Sequence, residues 1–177
     1  MPDVSIALVI APEKFRDEEL FVPKAAFEKA GYQTIVASTR IGTATGMLGR
    51  FAIATASITD LASTSLGALV IVGGAGSPAH LWGNTELHSI TVKMASAGKP
   101  VAAICVSPAV LARAGVLKGR RATVFEDKTS ISELKTYGAI YEDKPCVVDG
   151  NIVTANGPEA AAEFAEAILR LLQAAPR

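Results

Sequence analysis

The sequence predicts an α/β fold built on a mostly parallel sheet covered by helices on both faces. Two observations carry this. Short, uniformly apolar runs bounded by Gly or Pro recur along the chain, and they alternate with helical patterns. Strands buried on both faces lose the polar alternation of a half-exposed strand, and helices between them make parallel crossovers. Val4–Ile10 is the first such run, ended by Ala11-Pro12. Phe21, Val22, Ala25, Ala26, Phe27 and Ala30 form a helical stripe closed by Gly31. Thr34–Ala37 is a second strand. Residues 40–59, rich in Gly, Thr, Ala and Ser, predict a short hairpin or irregular excursion. Ala68–Val72 is a buried strand. Glu86–Ala97 is a helix stopped by Gly98 and Pro100, and Val101–Ile104 is another buried strand. Cys105–Ala114 reads as helical, Arg121–Phe125 as a strand and Ser130–Thr136 as a helix. Cys146–Val148 and Ile152–Thr154 flank Asp149-Gly150, a type I′ hairpin signal. Glu159–Gln173 is the longest helix, with Ala162, Phe164, Ala165, Ile168, Leu169 and Leu172 expected inward. No repeat or linker interrupts the pattern, so one domain over residues 1–177 is expected.

Composition excludes several functions. The chain has 177 residues, of which 50% are hydrophobic and 19% charged, unlike a disordered tail. Lys plus Arg number 17 and Asp plus Glu 17, with no basic block, which argues against nucleic acid as a partner. The first apolar run is too short to span a bilayer, and no signal segment is evident, so a cytoplasmic protein without membrane contact is expected. Two cysteines, Cys105 and Cys146, and two histidines, His80 and His88, provide neither a disulfide framework nor a zinc spacing. No metal is expected.

Cys105 is the sharpest chemical feature. The strand Val101–Ile104 runs straight into it and a helix follows, with Pro108 suited to an early helical position. A thiol on this elbow sits at the carboxyl end of a strand, where open α/β sheets place ligands. A helix N-terminus there would favour the thiolate. The alternative is a buried structural cysteine. Cys146 opens a short strand with no helix behind it and reads as structural.

Gly73-Gly74-Ala75-Gly76 follows the strand Ala68–Val72. If that strand neighbours the Cys105 strand, loop amides together with the Val106 N–H could stabilise an oxyanion. Gly74-Ala-Gly76-Ser-Pro-Ala79 also matches a dinucleotide fingerprint in form. It does not follow the first strand, however, and no acid closes the next one, so no cofactor is expected. The acidic run Asp17-Glu18-Glu19 lies at the same sheet edge. It reads either as a solvated helix start or as the source of one carboxyl turned toward Cys105, and its composition does not choose between Glu18 and Glu19. Pro23 predicts a late start or a kink in this helix. His80 could overhang the site as a general base or simply be exposed. His88 is expected on a solvated helix face. Leu81 and Trp82 fit a lid, an oligomer contact or the core.

These segments, in this order, resemble the ThiJ/PfpI superfamily, which includes the parkinsonism-associated deglycase and intracellular peptidase-like proteins. The resemblance covers residues 4–172. It rests on Glu19-Leu-Phe-Val-Pro23, Val72-Gly73-Gly74, Gly98-Lys-Pro-Val-Ala-Ala-Ile-Cys105, Ala114-Gly-Val-Leu-Lys-Gly119, Val147-Val-Asp-Gly-Asn151 and Thr154-Ala-Asn-Gly-Pro158. It implies a flavodoxin-like three-layer sandwich with a nucleophile elbow, and a homodimer or higher oligomer. It implies Cys105 as nucleophile, Glu19 as its proton partner, and Gly74 and Val106 as oxyanion amides. The implied substrate is a small reactive carbonyl or its adduct. An oxidation-sensing stress protein or chaperone and an intracellular peptidase are the alternatives. Peptidase-like members carry His directly after the nucleophile, where this chain has Val106. The deglycase branch carries His on the following strand, where this chain has Phe125, and Arg where it has Asn156. Amide hydrolysis needs an acid for the leaving amine, and neither usual His supplies it.

Overall fold

A computed structural model describes residues 4–175. Chain order is β1 (Ser5–Val9), β2 (Glu13–Phe15), α1 (Asp17–Lys29), β3 (Gln33–Ser38), β4 (Gly42–Gly46), β5 (Phe51–Ala54), β6 (Ala56–Ser57) and α2 (Ile58–Leu61). Then come β7 (Leu66–Ile71), α3 (Ser77–His80), α4 (Thr85–Ser96), β8 (Val101–Ile104), α5 (Pro108–Arg113), β9 (Arg121–Ala122) and α6 (Lys128–Thr136). The chain closes with β10 (Ile140–Tyr141), β11 (Cys146–Asp149), β12 (Ile152–Ala155), a 3₁₀ turn (Pro158–Ala160) and α7 (Ala161–Ala174).

The central sheet runs β11-β12-β8-β7-β1-β3-β6. All its pairings are parallel except β11 with β12. Alternate strand residues feed two cores. Ala7, Val9, Leu69, Ile71, Val101 and Ala103 face α2, α4, α5 and α6. Ile6, Leu8, Val70, Ala102 and Ile104 face α1 and α7. This double coverage is why β1, β7 and β8 read as unbroken apolar runs. The fold is the expected three-layer α/β sandwich with a mostly parallel sheet.

Several local expectations need correction. α1 starts at Asp17, four residues before the apolar stripe, and passes through Pro23. Pro23 lacks the N–H that would bond the Glu19 carbonyl, but the buried faces of Leu20 and Phe27 hold the helix on the sheet. Residues 40–59 form an antiparallel β4–β5 hairpin, joined by β2 into a separate three-stranded sheet, followed by β6 and α2. The Arg121–Phe125 strand shrinks to Arg121–Ala122. The terminal hairpin pairs Asp149 with Ile152, so its turn residues are Gly150-Asn151. Only Gly150 there has positive φ, at 59°, which fits type II′ rather than I′. In α7 the inward residues include Ala161 and Ala167, whereas Ala162 is exposed. Among the described residues no helix is long and apolar enough to cross a membrane.

Candidate active site at the carboxyl edge of the sheet

β1, β7 and β8 are adjacent and parallel, so their carboxyl ends open on one edge. β1 leads through β2 into α1 and delivers Glu19. β7 ends in the glycine loop, and β8 ends in Cys105. Three segments far apart in sequence are thereby gathered by topology alone.

Cys105 has φ of 64°, a left-handed conformation in a residue with a β-carbon. Such backbone costs roughly 1–3 kcal/mol and persists only where neighbours over-determine it. Here they do. Cys105 N–H donates to the Ala155 carbonyl at 2.9 Å, and its own carbonyl accepts from Phe125 N–H at 2.7 Å. Ser107 Oγ donates to the Val72 carbonyl at 2.6 Å, which leaves Ser77 to donate to Ser107 Oγ at 2.7 Å. The Trp82 indole N–H donates to the Val106 carbonyl at 2.9 Å. The elbow is real, but the helix begins only at Pro108. The expected helix over Cys105–Ala114 therefore loses its first turn to the elbow.

The acidic run divides its labour. Asp17 is buried and accepts from the Leu48 and Arg50 backbone N–H groups at 2.8 and 3.1 Å, tying the β4–β5 hairpin to α1. Glu18 pairs with Arg16 at 2.8 Å at the surface. Glu19 is fully buried and turned inward beside Gly73 and Cys105. Neither of its carboxyl oxygens has a well-formed hydrogen bond within the described residues. Burial drives its pKa up to about 8, against the pull of Arg16, with Glu18 adding to the rise. The Cys105 thiol and the Gly73 backbone favour the ionised form only weakly. Glu19 is thus mostly a neutral acid at pH 7.

The thiol does not behave as a helix N-terminus alone would suggest. Burial, followed by the Glu19 charge, pushes Cys105 up to about 12. The Gly74 and Val106 amides and Arg16 act in the opposite direction. Desolvation outweighs the short helix, whose first residue lies three positions beyond the sulfur. The carboxyl therefore ionises before the thiol.

Gly73 is what lets the two groups meet. A β-carbon there would lie 2.5 Å from Cys105 Cβ, 2.7 Å from the Ile104 carbonyl and 2.9 Å from Glu19 Oε1. Gly73→Ala should therefore destabilise the fold by about 2–3 kcal/mol, the scale of an overpacked core, and displace Cys105 from Glu19. Urea denaturation would measure the first effect and thiol alkylation rates the second. A variant as stable and reactive as the parent would refute this packing. Gly74 has φ of 106°, and a side chain there would strike the Arg16 and Phe15 backbone.

The remaining candidates lie elsewhere. His80 ends α3 with Nε2 3.5 Å from Glu13 Oε1, the one hydrogen-bond partner of its ring among the described residues. Its contact is thus with the β2 carboxylate rather than with the Cys105–Glu19 pair. His88 is not a free solvated side chain, because its Nε2 donates to the Trp82 carbonyl at 2.8 Å. Leu81 and Trp82 are core residues, not a lid. Cys146 is half-buried on β11, and burial raises its pKa to about 11. Among the described residues no three His, Cys, Asp or Glu side chains form a metal-binding group. Ser77, Ser107 and the Phe125 amide escaped the sequence reading, and Trp82 entered it only as a lid, an oligomer contact or a core residue. Only Trp82 carried a signal, since a buried indole N–H needs a partner.

Comparison with known proteins settles the lineage. The DJ-1/PfpI family model matches residues 4–171. The chain belongs to the DJ-1/PfpI family. An uncharacterised protein of Methanocaldococcus jannaschii is 46% identical over 98% of this chain and 84% of its own length. A protein of Thermococcus kodakarensis named as a deglycase is 36% identical over 85% of this chain and 89% of its own length. A ThiJ/PfpI domain protein from Brachyspira murdochii superposes with a TM-score of 0.90 at 32% identity, covering 97% of this chain and 98% of that one. Its family relatives share the flavodoxin-like sandwich, and deglycase-named members place enzyme activity within the family.

Proposed function

We propose that this DJ-1/PfpI member is a cysteine-dependent enzyme acting on small reactive carbonyls, such as methylglyoxal, or on their adducts. The observation that carries the reading is the strained Cys105 elbow beside a buried Glu19 carboxyl that makes no well-formed hydrogen bond among the described residues. Kinship to deglycase-named proteins supports the substrate class.

The chemistry follows from the order of ionisation. Glu19 loses its proton near pH 8, well before Cys105 does. As Sγ attacks the carbonyl carbon, the S–H proton passes to the Glu19 carboxylate and the C=O pair moves onto oxygen. The Gly74 and Val106 amides hold that oxyanion until Glu19 returns the proton, giving a neutral hemithioacetal. A shift of the C1 hydrogen to C2 then turns this adduct into a thioester, and water cleaves the C–S bond, releasing the 2-hydroxy acid and returning the Cys105 thiol with Glu19 unchanged overall. His80 has no step in this scheme.

The test is consumption of methylglyoxal, free and as its hemithioacetal with N-acetylcysteine, by purified protein. Cys105→Ala should reduce consumption to the uncatalysed rate while leaving circular dichroism unchanged. Equal consumption by the variant would end this reading.

A further inference from the structure

We propose that Trp82 is a positioning residue of the Cys105 site, whose indole N–H holds the Val106 carbonyl so that the Val106 N–H stays aimed at the reacting centre. The proposal rests on the reading of Cys105 as nucleophile and adds a residue outside the family motifs quoted above.

Three observations support it. First, the Val106 carbonyl has no good helical partner. Ala109 N–H reaches it only at 3.4 Å, and Val110 N–H goes to the Ser107 carbonyl at 2.9 Å instead. Trp82 Nε1, at 2.9 Å, is its one short hydrogen bond among the described residues. Second, the peptide on the other side of Val106 is also pinned. The Cys105 carbonyl accepts from Phe125 N–H at 2.7 Å, and a planar trans peptide points the Val106 N–H the opposite way. Val106 is therefore clamped at both ends, and Trp82 supplies the clamp made by a side chain.

Third, Trp82 is itself held at its backbone and its ring. Its backbone N–H donates to the Ser77 carbonyl at 3.1 Å, and its carbonyl accepts from His88 Nε2 at 2.8 Å. The Arg113 guanidinium lies 5.2 Å from the ring centroid, and Arg113 is fixed in turn by two hydrogen bonds of 2.8 Å to Glu133. Ser77, which anchors Trp82, also meets Ser107 of the elbow. The segment from Ser77 to Trp82 thus grips residues 106 and 107 together.

Trp82→Phe removes the donor and keeps an aromatic ring. Iodoacetamide alkylation of Cys105, followed by mass spectrometry across pH, reads the elbow without any substrate. The expected result is a rate about ten-fold lower at pH 8, with the profile displaced to higher pH, because an amide that stabilises the thiolate is misaimed. With methylglyoxal, kcat should fall by at least the same factor and KM should hold within two-fold. A folded Trp82→Phe protein with an unchanged alkylation profile would overturn the proposal. If that variant fails to fold, His88→Ala removes the hydrogen bond that holds the Trp82 carbonyl and leaves the indole in place. It should displace the alkylation profile in the same direction by a smaller amount, and no displacement there would also overturn the proposal. Failure of the carbonyl-enzyme reading would appear separately, as absent turnover in the parent protein with its alkylation profile intact.

Discussion

Replacing Glu19 with Gln should remove about 5 kcal/mol of pH dependence from folding stability, reckoned from a pKa of 4.5 raised to about 8. The sign is fixed by which state holds the proton. Below about pH 4.5 both folded and unfolded chains carry a protonated Glu19. Between about 4.5 and 8 the unfolded chain releases that proton and the folded chain keeps it. Stability therefore falls as pH rises through this window, and the loss is complete above about pH 8. Other carboxylates act oppositely. Arg16 lowers the pKa of Glu18, Lys24 that of Glu28 and Arg113 that of Glu133, so these pairs stabilise the fold above their unfolded pKa values. The difference between parent and variant isolates Glu19. Urea unfolding at a series of pH values, on both proteins, should give curves that converge at high acidity less one constant offset and diverge toward pH 8. Parallel curves would mean that Glu19 is ionised in the folded protein at neutral pH.

The same substitution should cost about 10²–10⁴-fold in kcat on a carbonyl substrate, the usual worth of a positioned proton-transfer group. In the parent, roughly a tenth of the molecules carry the Glu19 carboxylate at pH 7 if its pKa is near 8. The rate should rise with pH through that value and then level off. In Glu19→Gln the inflection should vanish, because Gln neither accepts nor returns a proton. Removing the Glu19 charge also removes one of the causes that hold the thiol pKa high, so iodoacetamide should still alkylate the variant. Retained alkylation with lost turnover separates proton transfer from nucleophilicity. An undiminished kcat would leave Glu19 a purely structural acid.

Particular residues show how far the sequence could be read. β8 was legible to the residue because a fully apolar run lay between Pro100 and Cys105. β2 was not, since three residues with two exposed side chains have no periodicity to detect. α3, only four residues long, was hidden by the glycine loop before it. At the site, strand order made the difference. Cys105 announced itself through the strand-to-helix junction, but Glu18 and Glu19 are alike in composition. The family resemblance chose Glu19, and the helix then turned Glu18 to Arg16 and Glu19 to Gly73. The thiol's upward shift could not be foreseen, because it depends on burial among residues remote in sequence. For the same reason the sequence could suggest His80 as an overhanging base, whereas the fold sets it beside Glu13.

Cys105 and Glu19 are proposed to form one working unit on carbonyl substrates. The most direct test of this unit is the pH–rate profile for methylglyoxal consumption by the parent, Cys105→Ala and Glu19→Gln proteins side by side. Parent turnover should rise through about pH 8, Cys105→Ala should show background rates, and Glu19→Gln should show a depressed profile without that inflection. Turnover in Cys105→Ala equal to the parent's would contradict the proposed unit.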